Sequence, residues 1–202
     1  MVAQPTLVYD EAYFTGGADQ YGVYGYTDYA SPLTYLSERP AQMVDQYISR
    51  LAVTGKTVLV AGCAMGLTVQ ELRARGVAAW GLDISAYAIS QAPADVRPYL
   101  VVGDARIKQS WDAARSLAGF RGNTKFALTL TEDLLPCLSD ADAVTMSTLA
   151  RGVTSGTGNV AHLFEDNQSE QFAHWYNTHT PAEWKTLLGP DRIISRFSWA
   201  WV

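Results

Sequence analysis

From residue 56 onward, short apolar runs alternate with stretches of helical pattern, and this alternation constrains the fold more than any other feature. The first three runs lack the polar alternation of a half-exposed strand, which indicates strands that are buried on both faces. Strands separated by helices favour a mainly parallel sheet with helices on both faces. The pattern predicts strands over 57–61, 77–82, 99–102, 125–131, 160–164 and 192–202, and helices over 67–75, 85–91, 111–118, 139–149 and 181–188.

Residues 1–55 have a different composition. Seven of the eleven tyrosines lie there, at positions 9, 13, 21, 24, 26, 29 and 35, among several glycines. Two interpretations stay open, a mobile lid over a ligand or an irregular segment packed on the core by its rings. Ser31 and Pro32 are a typical helix start, and a helix to about residue 52 follows, with Pro40 dividing or bending it. We expect one domain over 1–202, with an arm and helix acting as a lid over 1–55 and a sheet core over 56–202.

Charge and composition exclude several classes of protein. The net charge is −5 and no Lys/Arg run occurs, so nucleic acid is a disfavoured partner. Two cysteines do not make a disulfide scaffold, and no apolar run approaches the roughly 18 residues of a membrane span. We therefore expect a cytoplasmic protein with no membrane segment and no metal site, and the sequence leaves its oligomeric state open.

The loop after the first predicted strand reads Gly62-Cys63-Ala64-Met65-Gly66. Small residues let the backbone turn tightly, and the helix that follows offers unpaired N–H groups to an anion. A dinucleotide fingerprint would place its third glycine at position 67, which is leucine here. This spacing disfavours a nicotinamide or flavin enzyme.

Two further loops follow strands in the order that a nucleotide site requires. Asp83 ends the second strand, where a carboxylate accepts hydrogen bonds from ribose hydroxyls; the alternative is an N-cap for the next helix. Asp104 follows the third strand, where it would accept from an adenine amine; the alternative is a solvent-facing turn. Ligands bind at this edge in open parallel sheets, so the three loops predict one site.

These segments together resemble class I S-adenosylmethionine (SAM)-dependent methyltransferases, especially the small bacterial and phage-associated branch related to methyltransferase type 11. The resemblance is carried by 58–66, 81–85 and 102–105, and more loosely by 9–14, 21–24, 132–135 and 178–184. It implies a Rossmann-like doubly wound sheet, shortened at its C-terminal edge, and SAM as the cofactor. It also implies a cofactor-binding set: Tyr21, Gly62, Cys63, Ala64, Gly66, Asp83, Ile84, Asp104, Ala105 and Glu132.

Within that set the resemblance implies separate roles. The glycine loop would hold the methionine part of SAM, Asp83 the ribose, and Ile84 one face of the adenine, with Asp104 and Ala105 at the adenine edge. Glu132 would lie close to either the methyl group or the cofactor amine.

The sequence departs from the family pattern at three places. Val60 stands where the family has an acidic residue in the first strand, and Ala127 where an acid is common in the fourth. Pro136-Cys137 stands where relatives often have Glu-His. The segment after Asp191 is also short for the antiparallel hairpin that ends this fold, so we expect one long strand or a missing edge strand.

Candidate catalytic residues are few. His162 lies in an apolar strand and is interpreted as a core residue, while His174 lies in an aromatic cluster. His179 occupies a turn that the relatives share and is the best candidate for a substrate-facing base, with a structural turn as the alternative. Asp133 is the second candidate.

The leading hypothesis for function is methyl transfer from SAM to an oxygen or nitrogen of a small molecule, such as a sugar or other metabolite. A SAM-binding scaffold or regulatory protein without activity is the main alternative. A nucleic-acid methyltransferase is less favoured, because Pro136-Cys137 lies too far past the fourth strand to match the nucleophile of cytosine-5 enzymes. A nicotinamide-dependent enzyme is the remaining alternative.

Overall fold

The computed structural model describes residues 9–11, 14, 33–157, 159–164, 177 and 179–195, with the backbone alone over 33–40 and at residue 195. A long helix, α1 (Leu33–Leu51), precedes the sheet. Strands and helices then alternate as β1 (Thr57–Ala61), α2 (Leu67–Ala74), β2 (Ala78–Asp83), α3 (Ala86–Ser90), β3 (Leu100–Val102), α4 (Lys108–Leu117), β4 (Leu128–Glu132), α5 (Asp140–Val153), β5 (Val160–Phe164), α6 (Pro181–Leu188) and β6 (Arg192–Ser195).

The six strands form one sheet in the order β3-β2-β1-β4-β5-β6, and every neighbouring pair is parallel. The order reverses between β1 and β4, so the carboxyl ends of these strands border the crevice where open α/β sheets bind ligands. This is the Rossmann-like doubly wound fold, and the fold class predicted from the sequence is confirmed.

Two apolar layers cover the faces of the sheet. Alternate strand residues enter opposite layers, so that Val60 packs with α1 and α2 while Ala61 packs with α4 and α5. Trp111 of α4 and Trp184 of α6 are fully buried in the second layer. Burial of both faces explains why the strands read as apolar runs.

The fourth strand differs from its predicted limits. It begins at Leu128 rather than at 125 and includes Glu132, which the sequence placed after it. Phe126 instead forms an isolated bridge to Thr154, because helix α5 continues to Val153 and brings that residue alongside. Glu132 is therefore the last residue of a strand, and its backbone is held by the sheet.

The predicted end of the chain is only partly described. β6 spans Arg192–Ser195, parallel to β5, and the remainder of the predicted strand lies outside the described residues. Within the described part of the chain, none of the helices combines the length and the apolar character that a bilayer crossing requires.

Candidate functional site

The loop between β1 and α2 is held tightly between its neighbours. Gly62, Ala64 and Gly66 have φ angles of 78°, 47° and 75°, a left-handed conformation that costs glycine least. A Cβ on Gly62 would lie 2.8 Å from the carbonyl oxygen of Glu132, and one on Gly66 would lie 2.7 Å from Leu100. Steric contacts within the protein thus explain why both positions require glycine. They bring the backbone of the loop, and the first N–H groups of α2, to the carboxyl edge of the sheet.

Asp83 joins this loop to the one after β2. Its Oδ2 accepts a hydrogen bond from the amide of Ala64 at 2.8 Å, and its Oδ1 accepts one from the amide of Ser85 at 2.8 Å. Burial raises the pKa of the Asp83 carboxyl, and the two N–H donors partly offset that effect. The N-cap of α3 is Ser85, whose Oγ accepts from Ala88, so the N-cap interpretation of Asp83 is wrong.

Asp104 is paired with Arg106, a partner that the sequence did not indicate. Arg106 donates from Nε and Nη2 to both carboxylate oxygens, at 2.7–3.1 Å. These hydrogen bonds lower the pKa of Asp104. Arg106 also lies 3.8 Å from Asp142 at the start of α5. A ligand that hydrogen-bonds the Asp104 carboxylate would have to share it with the guanidinium.

Apolar side chains are exposed beside these two carboxylates. Ile84 is 43% exposed and Val102 is 48% exposed, at the ends of β2 and β3, and Ile107 before α4 is 47% exposed. The carbonyl of Ala105 accepts the indole N–H of Trp111 at 2.8 Å, which fixes the loop between them. This edge therefore offers apolar surface and carboxylate acceptors together, the combination that a nucleoside requires.

Glu132 lies on the other side of the glycine loop. Its Oε1 accepts a hydrogen bond from the hydroxyl of Tyr47 in α1 at 2.6 Å, and its Oε2 accepts one from Thr68 in α2 at 3.0 Å. Two helices and a strand thus converge on one carboxylate. The family resemblance implies Glu132, but the sequence carries no signal for Tyr47 or Thr68, which are far from it along the chain.

The two cysteines are held as thiols. Burial, followed by the negative charges of Asp83 and Glu132, raises the pKa of Cys63 well above its ordinary value. Burial also raises the pKa of Cys137 to about 12, and its Sγ contacts the carbonyl oxygen of Asp133 at 3.5 Å. Since the thiolate is the nucleophilic form, neither cysteine is suited to attack a substrate near neutral pH.

The candidate bases lie near the segment that joins β4 to α5. Asp133 follows the last residue of β4 and has a φ of 50°. The Nε2 of His179 lies 2.9 Å from Oδ1 of Asp140, which also accepts from the side chain of Asn177. The hydrogen bonds from Asn177 and then His179 lower the pKa of Asp140. The rings of His179 and Trp184 pack edge to face, with centroids 4.7 Å apart.

His162 has the structural role that the sequence indicated. It is fully buried, and its ring nitrogens lie 2.8 Å from the hydroxyl of Thr131 and 3.0 Å from Asp191. His174, like Tyr21 of the predicted cofactor set, lies outside the described residues.

The described residues of the N-terminal arm contact the same edge of the sheet. The carbonyl of Tyr9 accepts a hydrogen bond from Ser85 Oγ at 2.5 Å, and the ring of Phe14 stacks on Tyr87 at 6.1 Å. The same apolar cluster includes Ala64 of the glycine loop. This part of the arm therefore lies over two of the three loops.

Comparison with known proteins finds similarity in structure but not in sequence. No protein-family model and no curated protein sequence matches the chain. Among solved structures, the glycopeptide N-methyltransferase MtfA complexed with SAM matches with a TM-score of 0.45 and 19% identity, over 65% of this chain and 58% of that one. Magnesium protoporphyrin IX methyltransferase (ChlM) from Synechocystis PCC 6803 with bound S-adenosylhomocysteine (SAH) matches with 0.44 and 16%, over 59% and 52%.

A SAM-dependent methyltransferase from Archaeoglobus fulgidus is a third match, with a TM-score of 0.45 and 15% identity over 62% of this chain and 55% of that one. This chain thus matches little more than half the length of each of these three structures. All three are methyltransferases by name.

Proposed function

We propose that the chain binds SAM at the carboxyl edge of β1, β2 and β4 and transfers its methyl group to a small-molecule acceptor. The observation that carries this proposal is Asp83, a carboxylate fixed by amides of two loops beside the exposed Ile84. Each Asp83 oxygen accepts one N–H and retains capacity for a ribose hydroxyl.

The remaining groups fit the same ligand. The glycine loop and the first N–H groups of α2 favour a carboxylate. Ile84, Val102 and Ile107 offer apolar surface to an adenine ring. When bound, SAM supplies an electrophilic methyl group on a sulfonium. The protein would bind both reactants in alignment, and such positioning supplies much of the rate of a displacement.

A small acceptor fits the charges of the site better than a nucleic acid. Carboxylates lie at this edge in Asp83, Asp104, Glu132 and Asp133. The nearby Arg106 is already paired with Asp104 and also lies 3.8 Å from Asp142. A phosphate backbone would meet negative charge there. An acceptor with an O–H or N–H group has a proton to lose, and His179 is the residue we assign to remove it.

Calorimetry with SAM and SAH tests the binding half of the proposal. We expect wild type to bind both, and Asp83→Asn to bind each at least about tenfold more weakly, because the variant loses a charged acceptor. Asp112→Asn is the matched control, since Asp112 pairs with Lys108 on the exposed side of α4 and should leave affinity unchanged. No binding of either ligand to folded wild type at near-millimolar concentration would overturn the proposal.

The transfer half separates an enzyme from a binding protein. Because burial raises the pKa of both Cys63 and Cys137, the candidate bases are His179 and Asp133. A screen of alcohol and amine acceptors with methyl-labelled SAM should give a product, and His179→Gln should reduce its rate by about a hundredfold or more. Tight SAM binding with no product from any acceptor would favour the scaffold alternative.

A further inference from the structure

We propose that Asp140 is a positioning residue that holds His179 by Nε2, and so leaves Nδ1 as the nitrogen that removes a proton from the acceptor. This inference rests on the proposed function and deepens it, because it adds a second residue to the proton transfer and names the nitrogen that carries it out.

The fold brings Asp140 and His179 to the same edge of the sheet. Asp140 is the first residue of α5, which follows β4, and His179 precedes α6, which follows β5. Because β4 and β5 are parallel neighbours, both helices begin at the carboxyl edge, where the crevice lies. A backbone contact fixes their approach, since the amide of Asn177 donates to the carbonyl of Pro136 at 3.2 Å. The pair therefore lies at the edge where the ligand is proposed to bind, on the side of β4 and β5.

The carboxylate beside the ring determines which nitrogen carries the proton. Oδ1 of Asp140 lies 2.9 Å from Nε2 of His179 and also accepts from the side chain of Asn177. Those hydrogen bonds lower the pKa of Asp140, so at neutral pH it is a carboxylate, which accepts hydrogen bonds but donates none. Nε2 must therefore carry the proton, and a neutral imidazole then has its lone pair on Nδ1.

The other groups around His179 leave Nδ1 available. Its side chain is 30% exposed, and among the residues that the structure describes, none hydrogen-bonds Nδ1. The other titratable group beside the ring is Glu183 of α6, whose Oε2 is occupied by the amide and the hydroxyl of Thr180 in a capping box. Trp184 packs against the imidazole without a polar contact and limits how far the ring can turn.

The tautomer of His179 can be measured on the whole chain without any ligand. In protein labelled with ¹⁵N at histidine, long-range ¹H–¹⁵N spectra distinguish the protonated ring nitrogen from the other, and the spectrum of His179→Gln assigns the resonances. At a pH where the ring is neutral, we expect the proton of wild-type His179 on Nε2. Asp140→Asn should give a mixture of tautomers, because an amide donates as well as accepts. A proton on Nδ1 in wild type, or an unchanged tautomer in Asp140→Asn, would overturn the assignment.

Methyl transfer tests whether this positioning matters for the reaction. With an acceptor that wild type methylates, we expect Asp140→Asn to lower kcat about tenfold or more, because the ring loses its fixed tautomer and its orientation. The KM for SAM should change less than about twofold, since the carboxylate holds the base and not the cofactor. Asp140→Glu keeps a carboxylate and should recover most of the rate.

Asn177→Ala controls for a purely structural role, because it removes the other side-chain donor to Asp140 and keeps the carboxylate beside His179. Its kcat should stay within about threefold of wild type, since one hydrogen bond to an exposed carboxylate contributes little. Circular dichroism verifies that each variant is folded. Equal losses of kcat in Asn177→Ala and Asp140→Asn, or no loss in Asp140→Asn, would overturn the assignment and leave the proposed function standing. A wild type that methylates no acceptor would overturn the proposed transfer and this assignment with it.

Discussion

At the scale of single residues, Gly62 shows how the site depends on backbone conformation. Its φ is 78°, and the space for a Cβ is filled by the carbonyl of Glu132 and the side chain of Leu134. Gly76, after α2, has a φ of 76° with nothing within 4 Å of a Cβ. The two glycines therefore share the conformational requirement, and only Gly62 adds a steric one.

We predict that Gly62→Ala destabilises the protein more than Gly76→Ala. Both substitutions incur about 1 kcal/mol for a left-handed alanine, and Gly62→Ala adds about 1–3 kcal/mol of overpacking against a backbone atom that cannot rotate away. Urea denaturation of both variants measures the difference. Equal free energies of unfolding would show that β4 moves to make room for the added methyl group, and that the loop is not tightly held.

At this scale the sequence indicated candidate residues but not their partners. Asp83 was singled out by its position at the end of a strand and Glu132 by the family resemblance, and both lie beside the glycine loop. Their partners were not predicted, because residues such as Tyr47, which lies 85 residues from Glu132 along the chain, give no local signal of the contact. Contacts of that kind depend on the sheet order, which a single sequence does not specify.

At the scale of elements, caps determine where the helices around the site begin. Ser85 caps α3 by accepting from Ala88, and Ser139 caps α5 by accepting from Asp142. Neither cap was predicted from the sequence, but both helices begin within a residue of the predicted position. Ser85 has a second role, since its hydroxyl donates to the carbonyl of Tyr9 in the arm.

We predict that Ser85→Ala releases the arm from the loops whereas Ser139→Ala does not. Each loses an N-cap worth about 1 kcal/mol, so the pair is matched in stability. Amide hydrogen exchange over residues 9–14 should accelerate in Ser85→Ala alone. The same exchange rates in both variants would mean that the Tyr9 contact does not hold the arm, and would remove support for a lid.

Element boundaries were predicted less well where tertiary contacts decide them. The fourth strand was predicted to begin at residue 125, but Phe126 lies before the strand and forms an isolated bridge to Thr154 instead. Helix α5 was expected to end near 149 and continues to Val153, whose side chain is buried in the second apolar layer. Burial of Val153 therefore stabilises a last turn of α5 that the sequence pattern did not predict.

At the scale of the whole molecule, a buried polar cluster stabilises the side of the sheet formed by β4, β5 and β6. A single oxygen of Asp191, just before β6, accepts from Ser147 and Arg151 of α5 and lies 3.0 Å from His162 of β5. The other ring nitrogen of His162 lies 2.8 Å from Thr131 of β4. The cluster links three neighbouring strands to a helix.

This cluster predicts how the stability of the molecule depends on pH. Burial alone would raise the pKa of Asp191, but the hydrogen bonds from His162 and Ser147 and the charge of Arg151 outweigh it, and the pKa lies below its ordinary value. A carboxyl whose pKa is depressed by folding stabilises the native state above its unfolded pKa of about 3.9. That stabilisation is lost as the pH falls through the lower pKa of the folded state.

Asp191→Asn should therefore be less stable than wild type at neutral pH, by roughly 2–3 kcal/mol, because charged hydrogen bonds are replaced by weaker ones. Below about pH 4 the difference should shrink, since wild type alone loses the contribution of the Asp191 carboxylate. Urea titrations at several pH values measure both effects, with Asp112→Asn as a control whose exposed pair contributes at most about 0.5 kcal/mol. If the difference between wild type and Asp191→Asn stayed constant down to the lowest pH, the carboxylate charge would not be what holds β5 and β6 to α5.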